Sequence, residues 1–476
     1  MNEFLRHGFE GIQVTAILYG LGWLVVLFLL KKVFDAFRAE NPGWGAWLIL
    51  GLGLLLRLGW IVYTQPNPIS DYEGYWHYAG QIASGDWTFD NIDKHPGIIL
   101  LLTYCRMLWG NHYWPVWTIN MLLSGLIMML TYVLGRRLSD NRVVGLVALA
   151  LAAFQPKLIA YSALFASELP TLTLYLLLCE LIVASGRQLK THWLAWIGTG
   201  VVLYVAVLTR STSLLFLPLT ALLMLLFRRS HWQNSLKGLL TFALTAGLLL
   251  STWLYHQFLL TGKAQLFWGG EIWLVATTHY ETESRLISPR SLPGLKERIQ
   301  QATHGKTGPA ARLAELAEDK AWAMAIIQRD PLRYLSAGPT RLKHILWTTS
   351  ETGIRDTQWG SRPLQQLPEK TVTRLAEVSK HLWRVTLILG LLGLMATAAR
   401  WRQNSSTARE SLILITGFLG VWLGFHFLMA VASDRWALQI IPFTLIFAAS
   451  GLVTLTQTFR GIVVSCSRLA SSRSRQ

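Results

Sequence analysis

Long apolar runs, separated by short polar segments, recur along most of the chain, near residues 11–30, 46–64, 115–134, 143–160, 168–185, 193–209, 213–227, 238–260, 382–399, 410–431 and 436–456. About 20 apolar residues wound as a helix cross the hydrocarbon core of a bilayer. The pattern predicts an all-α polytopic membrane protein with about eleven transmembrane helices. One further stretch, "HPGIILLLTYCRMLWG" at 95–110, is apolar but short and holds Arg106. If it crossed, every later loop would change sides, so an interfacial or re-entrant helix is expected there. The first apolar run has no basic segment ahead of it and no small-residue cleavage site after it, so a retained span is expected rather than a signal peptide.

Charge then fixes the sidedness. Lys31, Lys32 and Arg38; Arg136, Arg137 and Arg142; Arg187 and Lys190; Arg228, Arg229 and Lys237; Arg400, Arg402 and Arg409; and the tail with Arg460, Arg468, Arg473 and Arg475 all fall in alternate loops. Basic residues mark the cytoplasmic side. Eleven spans with the N-terminus outside put each of these segments inside. The same count puts 65–114 outside, with the turns at 161–167, 210–212 and 432–435. These outer segments hold Asp71, Glu73, Asp86, Asp90, Asp93 and Asp434.

Four regions follow. Residues 1–45 are an N-terminal helix and cytoplasmic loop, and 46–260 are a transmembrane core whose first outer loop is 65–114. Residues 261–381 are an external mixed helical region, and 382–476 are the last spans and a basic tail. Within the external region, "RDPLRYLSAGPTRLKHILW" (329–347) reads as an amphipathic surface helix.

Composition agrees with a membrane chain: 52% of residues are hydrophobic and 14% charged, where a soluble chain carries about 25% charged residues. The formal charge of +17 lies mostly in short segments between spans, which argues against a nucleic-acid partner. Cys105, Cys179 and Cys466 offer neither a disulfide framework nor metal-ligand spacing. No His-rich or Asp-rich metal cage is present, so no cofactor is expected to be required, although a divalent ion between Asp71 and Glu168 stays open.

Ionisable groups gather at the outer ends of the spans: Asp71 and Glu73, Lys94 and His95, Glu168, Arg210, and Asp434 with Arg435. Such groups at membrane depth are costly unless paired, solvated or functional. Each has a structural alternative. Arg210 or Arg435 can anchor at the interface, and Ser167 with Glu168 stands where a helix cap and first-turn acid belong. Taken together they suit chemistry on a lipid-linked phosphate. A carboxylate can take a proton from a hydroxyl nucleophile, and Arg, Lys or His can hold a phosphate. Tyr72, Tyr75, Trp76, Tyr78 and Trp87 can stack on a sugar or sit in the interfacial aromatic belt. Arg57 lies inside a span, facing either a carboxylate near the site or only its packing neighbours. Glu180, near a cytoplasmic end, reads as structural.

These segments bear a family likeness. "SDYEGYWHYAGQIASGDW", "KHPGIILLL", "YWPVWTINMLLSGLIMMLTYVLGRRL", "SELP", "LTRSTSLLFLP" and "SDRWALQIIPFTLIFAASGL" occur in this order over roughly 46–456. The series resembles the GT-C superfamily of polytopic glycosyltransferases, on the branch holding protein O-mannosyltransferases and lipid A aminoarabinose transferases. The resemblance implies inverting transfer of a sugar from a polyprenyl-phosphate donor to a lipid, glycan or protein acceptor outside the cytoplasm. A bacterial inner membrane, with the site facing the periplasm or exterior, is the expected setting. Asp71 and Glu168 match the acidic residues of the first and second outer loops and are the expected catalytic pair. Lys94 or His95 matches the basic donor-phosphate position, and Arg435 the Arg near the last span. Arg210 joins them as a phosphate contact, and Glu73, Tyr75, Tyr78 and Asp434 are expected to touch substrate. Some positions depart from the family: Tyr72 separates Asp71 from Glu73, "HPG" replaces "PP", and "DRW" replaces "RY".

Three other readings compete, the last a non-enzymatic scaffold, which would have no need of Asp71. A transporter or flippase of lipid-linked sugars would also place polar groups in a bundle, but it commonly shows repeated halves, and no repeat is visible here. A polymerase or ligase using lipid-diphosphate glycans would share the outward chemistry.

Overall fold

In a computed structural model, the described residues are 2–40, 42–87, 94–187, 193–227, 232–266, 274–275, 278, 292–348, 352–429 and 434–473. Among them all regular structure is helical. The first half runs α1 (Asn2–Ala39), α2 (Trp44–Thr64), α3 (Asp71–Ala83), α4 (Pro96–Trp109), α5 (Trp114–Ser139) and α6 (Arg142–Ala153). It continues with α7 (Pro156–Tyr161), α8 (Glu168–Arg187), α9 (Trp193–Thr209), α10 (Phe216–Phe227) and α11 (Trp232–Thr261). The later region holds Pro293–Thr303, Gly308–Arg329 and Thr352–Gly360. The long helices Glu369–Ala399, Ser406–Met429 and Ile441–Arg473 close the bundle.

Seven helices among the described residues are long and apolar enough to cross a membrane: Gly11–Ala39, Trp44–Thr64, Trp114–Ser139, Gln233–Thr261, Glu369–Ala399, Ser406–Leu428 and Leu438–Ser465. The chain is an integral membrane protein of the all-α polytopic class. Each of the eleven expected segments contains a helix, but some are shorter than a span. The segment 143–160 is not continuous: α6 ends at Ala153 and α7 starts at Pro156. Proline has no N–H to carry the ladder on and pushes the residue before it into an extended conformation. Gln155 is accordingly extended, with φ −70° and ψ 114°.

That break leaves the last carbonyls of α6 without intrahelical donors. Arg57, in the middle of α2, fills the gap. Its Nη1 donates to Ala153 O at 2.8 Å and its Nη2 to Ala152 O at 3.0 Å. Nη1 also lies 2.8 Å from Gly53 O of its own helix. Arg57 is 1% exposed. Of the two roles open to it in the sequence, the structure gives it the packing one, with backbone carbonyl oxygens accepting its hydrogen bonds.

The 95–110 stretch is the 14-residue helix α4, preceded by His95 and started by Pro96. Arg106 Nη1 donates to Trp76 O at 3.0 Å, and its guanidinium lies 4.6 Å from the Trp76 ring centroid, so α4 is tied to α3. A Cβ on Gly97 would stand 2.6 Å from Thr209 N. Only glycine permits that approach, which sets the start of α4 against the end of α9.

Elsewhere small residues bring the closing helices together. A Cβ on Gly393 would run into the Phe447 carbonyl, and one on Gly451 into the Leu389 carbonyl. Glycines at such contacts let membrane helices approach backbone to backbone.

Two ends of the bundle are chemically distinct. At one, Arg136 pairs with Glu40 and Arg137 with Glu180, both at 2.5 Å, and Asp140 Oδ2 accepts from Ser405 N at 3.3 Å. Loops expected on the cytoplasmic side therefore converge. Glu180, expected to be structural, is held there by Arg137. Asp71, Lys94, Glu168, Arg210 and Arg435 meet at the other end. We predict that a reporter fused after residue 90 signals an exterior location and one fused at Gln476 a cytoplasmic one. The same side for both would overturn the assignment of faces.

Candidate active site

Five side chains from five separate segments form one continuous chain of charge. Lys94 Nζ lies 2.7 Å from Asp71 Oδ1. Arg435 Nη1 lies 3.1 Å from Asp71 Oδ2, and Arg435 Nε donates to Glu168 Oε1. Arg210 Nη1 approaches the same Glu168 oxygen at 3.5 Å. The order is Lys94, Asp71, Arg435, Glu168, Arg210, alternating in sign throughout.

Local structure delivers each group. Asp71 opens α3, and Glu168 opens α8, where the helix dipole favours negative charge. Pro170 falls in the first turn of α8, where its missing N–H costs nothing. Arg210 follows the last residue of α9 in an extended conformation. A 3₁₀ turn, Ser211–Leu215, comes next, and Ser213 Oγ donates to the Arg210 carbonyl at 2.7 Å. Lys94 and His95 precede α4, and Arg435 sits in the short helix Asp434–Ala437.

Glu168 is 0% exposed, and its Oε2 has no hydrogen-bond partner among the described residues. Its Oε1 is taken by two arginines, so charge pairing supplements any role in starting the helix. Asp71 is partly exposed. Burial alone would raise its pKa, but Lys94 and then Arg435 outweigh that and hold the carboxyl below the usual carboxylate range. His95 is pushed down to about 3, by burial first and then by the positive charges of Arg210 and Lys94. It is a neutral imidazole at neutral pH, able to donate or accept a hydrogen bond.

The remaining expected residues divide. Tyr75 is one helical turn after Asp71 on the same face of α3, and the Lys94 ammonium lies 5.6 Å from its ring. Tyr78 continues that face and is partly buried, its ring 5.9 Å from that of His77. Glu73 is exposed, because two residues of helix turn it some 200° away from Asp71. The structure does not bring it to the charge chain. The Asp434 side chain lies outside the described residues.

Two further residues belong to the arrangement. The Arg435 guanidinium lies 5.0 Å from the Tyr72 ring, and the Tyr72 hydroxyl donates to Asp356 Oδ2 at 3.0 Å. Asp356 is 9% exposed, on the helix Thr352–Gly360. That helix is docked by Asn67 N donating to Gly360 O at 2.8 Å, and by Gly353 lying against the Tyr161 ring. Tyr72 stood out in the sequence only as an aromatic among several. Nothing in the sequence around Asp356 marked it.

Residues 93–256 match the family model of the dolichyl-phosphate-mannose-protein mannosyltransferases. The match spans 164 of the chain's 476 residues, about a third of its length. It includes Lys94, His95, Glu168 and Arg210; Asp71 and Arg435 lie outside it. A comparison with curated protein sequences gives no match. Among solved structures, the archaeal oligosaccharyltransferase AglB from Archaeoglobus fulgidus, in complex with an inhibitory peptide and a dolichol-phosphate, is similar at TM-score 0.49 and 13% identity. That alignment covers 89% of this chain and 52% of AglB. The Archaeoglobus fulgidus oligosaccharyltransferase tethered to an acceptor peptide gives 0.48 and 12%, covering 87% and 50%. ArnT from Cupriavidus metallidurans bound to undecaprenyl phosphate gives 0.36 and 13%, covering 86% and 78%. The chain described here thus spans about half the length of the archaeal proteins.

Proposed function

We propose that this protein transfers a sugar from a polyprenyl-phosphate-linked donor to an acceptor hydroxyl at the extracytoplasmic face, with inversion at the anomeric carbon. The observation that carries the reading is the alternating chain Lys94–Asp71–Arg435–Glu168–Arg210. Within it, three cations face two carboxylates, one positive charge in excess. A sugar phosphodiester brings one negative charge. The named donor of the matched family, a dolichyl-phosphate sugar, has this chemistry.

In the resting state Asp71 is a weak base because two cations hold it. An entering phosphate competes for Lys94 and Arg435. As they turn to it, Asp71 loses its partners and becomes more basic where a proton must be taken. The acceptor oxygen then attacks the anomeric carbon from the face opposite the phosphate. The bond from that carbon to the phosphate oxygen breaks, the acceptor proton passes to Asp71, and the polyprenyl phosphate leaves with its charge on Lys94, Arg210 and Arg435 and with the neutral His95 as a hydrogen-bond donor. Electrostatic stabilisation of that leaving group supplies much of the rate. Glu168 keeps Arg435 and Arg210 aimed. Arg435 stands between the two carboxylates, so a divalent ion there would have to displace it.

This scheme separates the free protein from its complex in pH. The acid limb of kcat/KM reports the free site and that of kcat the bound one. The kcat/KM limb is expected below the ordinary aspartate range, since Asp71 stays ionised there until the pH falls below its depressed pKa. The kcat limb is expected at higher pH, because the donor has taken the cations. Asp71→Asn is expected to stay folded and bind donor while transfer falls by about 10²–10⁴-fold. Purified protein in detergent, given a panel of polyprenyl-phosphate sugars, provides the assay. Full transfer by Asp71→Asn would remove the base. If no donor is consumed by wild type while the lipid-linked sugar moves across vesicles, the protein is a transporter.

A further inference from the structure

A second feature lies far from the charge chain. Glu180 is twelve residues beyond Glu168 on α8, about 18 Å along the axis. Beside it a cavity of about 520 Å³ opens between α1, α8 and α9. Its walls are apolar and partly of small residues, among them Leu29, Leu181, Ala184 and Gly198. Two ionisable residues line it, Lys32 and Glu180. Glu180 is already neutralised by Arg137 at 2.5 Å. Lys32 is exposed, and its ammonium lies 5.8 Å from the ring of Phe28, itself part of the wall.

We propose that this groove binds one anionic phospholipid from the leaflet at the basic end of the bundle, an acyl chain lying in the groove and the phosphate on Lys32. The mouth is continuous with exposed apolar side chains, Leu24, Phe28 and Leu194. What reaches it in a bilayer is hydrocarbon. The charge at its polar edge selects the headgroup: Lys32 is uncompensated by Glu180, and Lys31 and Arg38 lie on the same helix. A basic residue at the membrane surface favours anionic lipid modestly. Bound there, the lipid would wedge α1 against α8 and α9 without touching the catalytic groups.

Native mass spectrometry of the full chain in mild detergent, titrated with dioleoylphosphatidylglycerol or dioleoylphosphatidylcholine, tests this. Wild type is expected to bind one phosphatidylglycerol about fivefold more tightly than phosphatidylcholine. Lys32→Gln should bring that ratio near one. Gly198→Leu, which projects a side chain into the groove, should weaken both lipids. Ala195→Leu on the same wall substitutes if Gly198→Leu fails to fold. No headgroup preference in wild type, or an undiminished one in Lys32→Gln, overturns the proposal. So does one-for-one displacement by polyprenyl phosphate, which would make the groove part of the donor's path. Sugar transfer is read separately: loss of the lipid site with transfer intact leaves the catalytic proposal standing.

Discussion

Arg435→Gln is expected to abolish transfer and destabilise the protein together, and a second change is expected to separate the two losses. Arg435 holds Asp71 at 3.1 Å with Nη1 and Glu168 through Nε. Without it, the fully buried Glu168 keeps Arg210, at 3.5 Å, as its one ion-pair partner among the described residues. Removing one partner of a buried pair costs about 3–5 kcal/mol, because the charge left behind has no compensation. Thermal unfolding in detergent should therefore shift down by several degrees. The rate should fall by about 10²–10³-fold or more, the usual effect of losing one preorganised electrostatic donor. Adding Glu168→Gln removes the orphaned carboxylate and should restore most of the stability but none of the transfer. Arg435→Lys should also fail, since one ammonium cannot span both carboxylates as a planar guanidinium does. If the double variant is no more stable than Arg435→Gln, the charge chain is not what holds this end of the fold.

The five members of that chain were each legible in the sequence, and for one reason. Alternating sidedness is a strong constraint: once basic loops are put on one face, the polar residues on the other are few, and a membrane leaves them little to do but meet. Their order along the chain is less legible, since nothing in the sequence says that Arg435 lies between Asp71 and Glu168 while Lys94 takes the outer oxygen. The contact of Tyr72 with Asp356 joins residues 284 apart. Asp356 belongs to the long polar region, where neither span periodicity nor charge bias restricts position. Glu73 shows the opposite failure. Its nearness to Asp71 in sequence counted for it, whereas the helical twist of α3 turns it outward. The break in 143–160 was hidden because hydropathy is indifferent to proline: Phe154, Gln155 and Pro156 barely interrupt an apolar run, but the backbone cannot pass through Pro156 as helix. Arg57 was conspicuous as a charge inside a span. Its partners are carbonyls freed by that break, so it stayed ambiguous until the break was seen.

Arg57→Leu is expected to be among the most destabilising single changes outside the charge chain, for the same reason. The carbonyls of Ala152 and Ala153 end α6 inside the bundle and accept from Arg57 at 3.0 and 2.8 Å. In water those groups would be solvated; at membrane depth no other donor replaces the guanidinium. Each buried acceptor left unsatisfied costs about 1–3 kcal/mol, so the pair costs about 2–6 kcal/mol. Leucine would fill much of the volume, which isolates the lost hydrogen bonds from the lost packing. Pro156→Ala supplies the control. An N–H at position 156 can bond Ala152 O and let α6 continue, so the double variant Arg57→Leu/Pro156→Ala should recover part of the stability that Arg57→Leu loses. It should recover little activity, because a continuous helix through 154–156 would reorient α7 and the segment leading to Glu168. Thermal unfolding of the single and double variants, alongside transfer rates, reads both effects. Equal stability of Arg57→Leu and wild type would show that the ends of α6 find other donors, and that Arg57 is there for a different purpose.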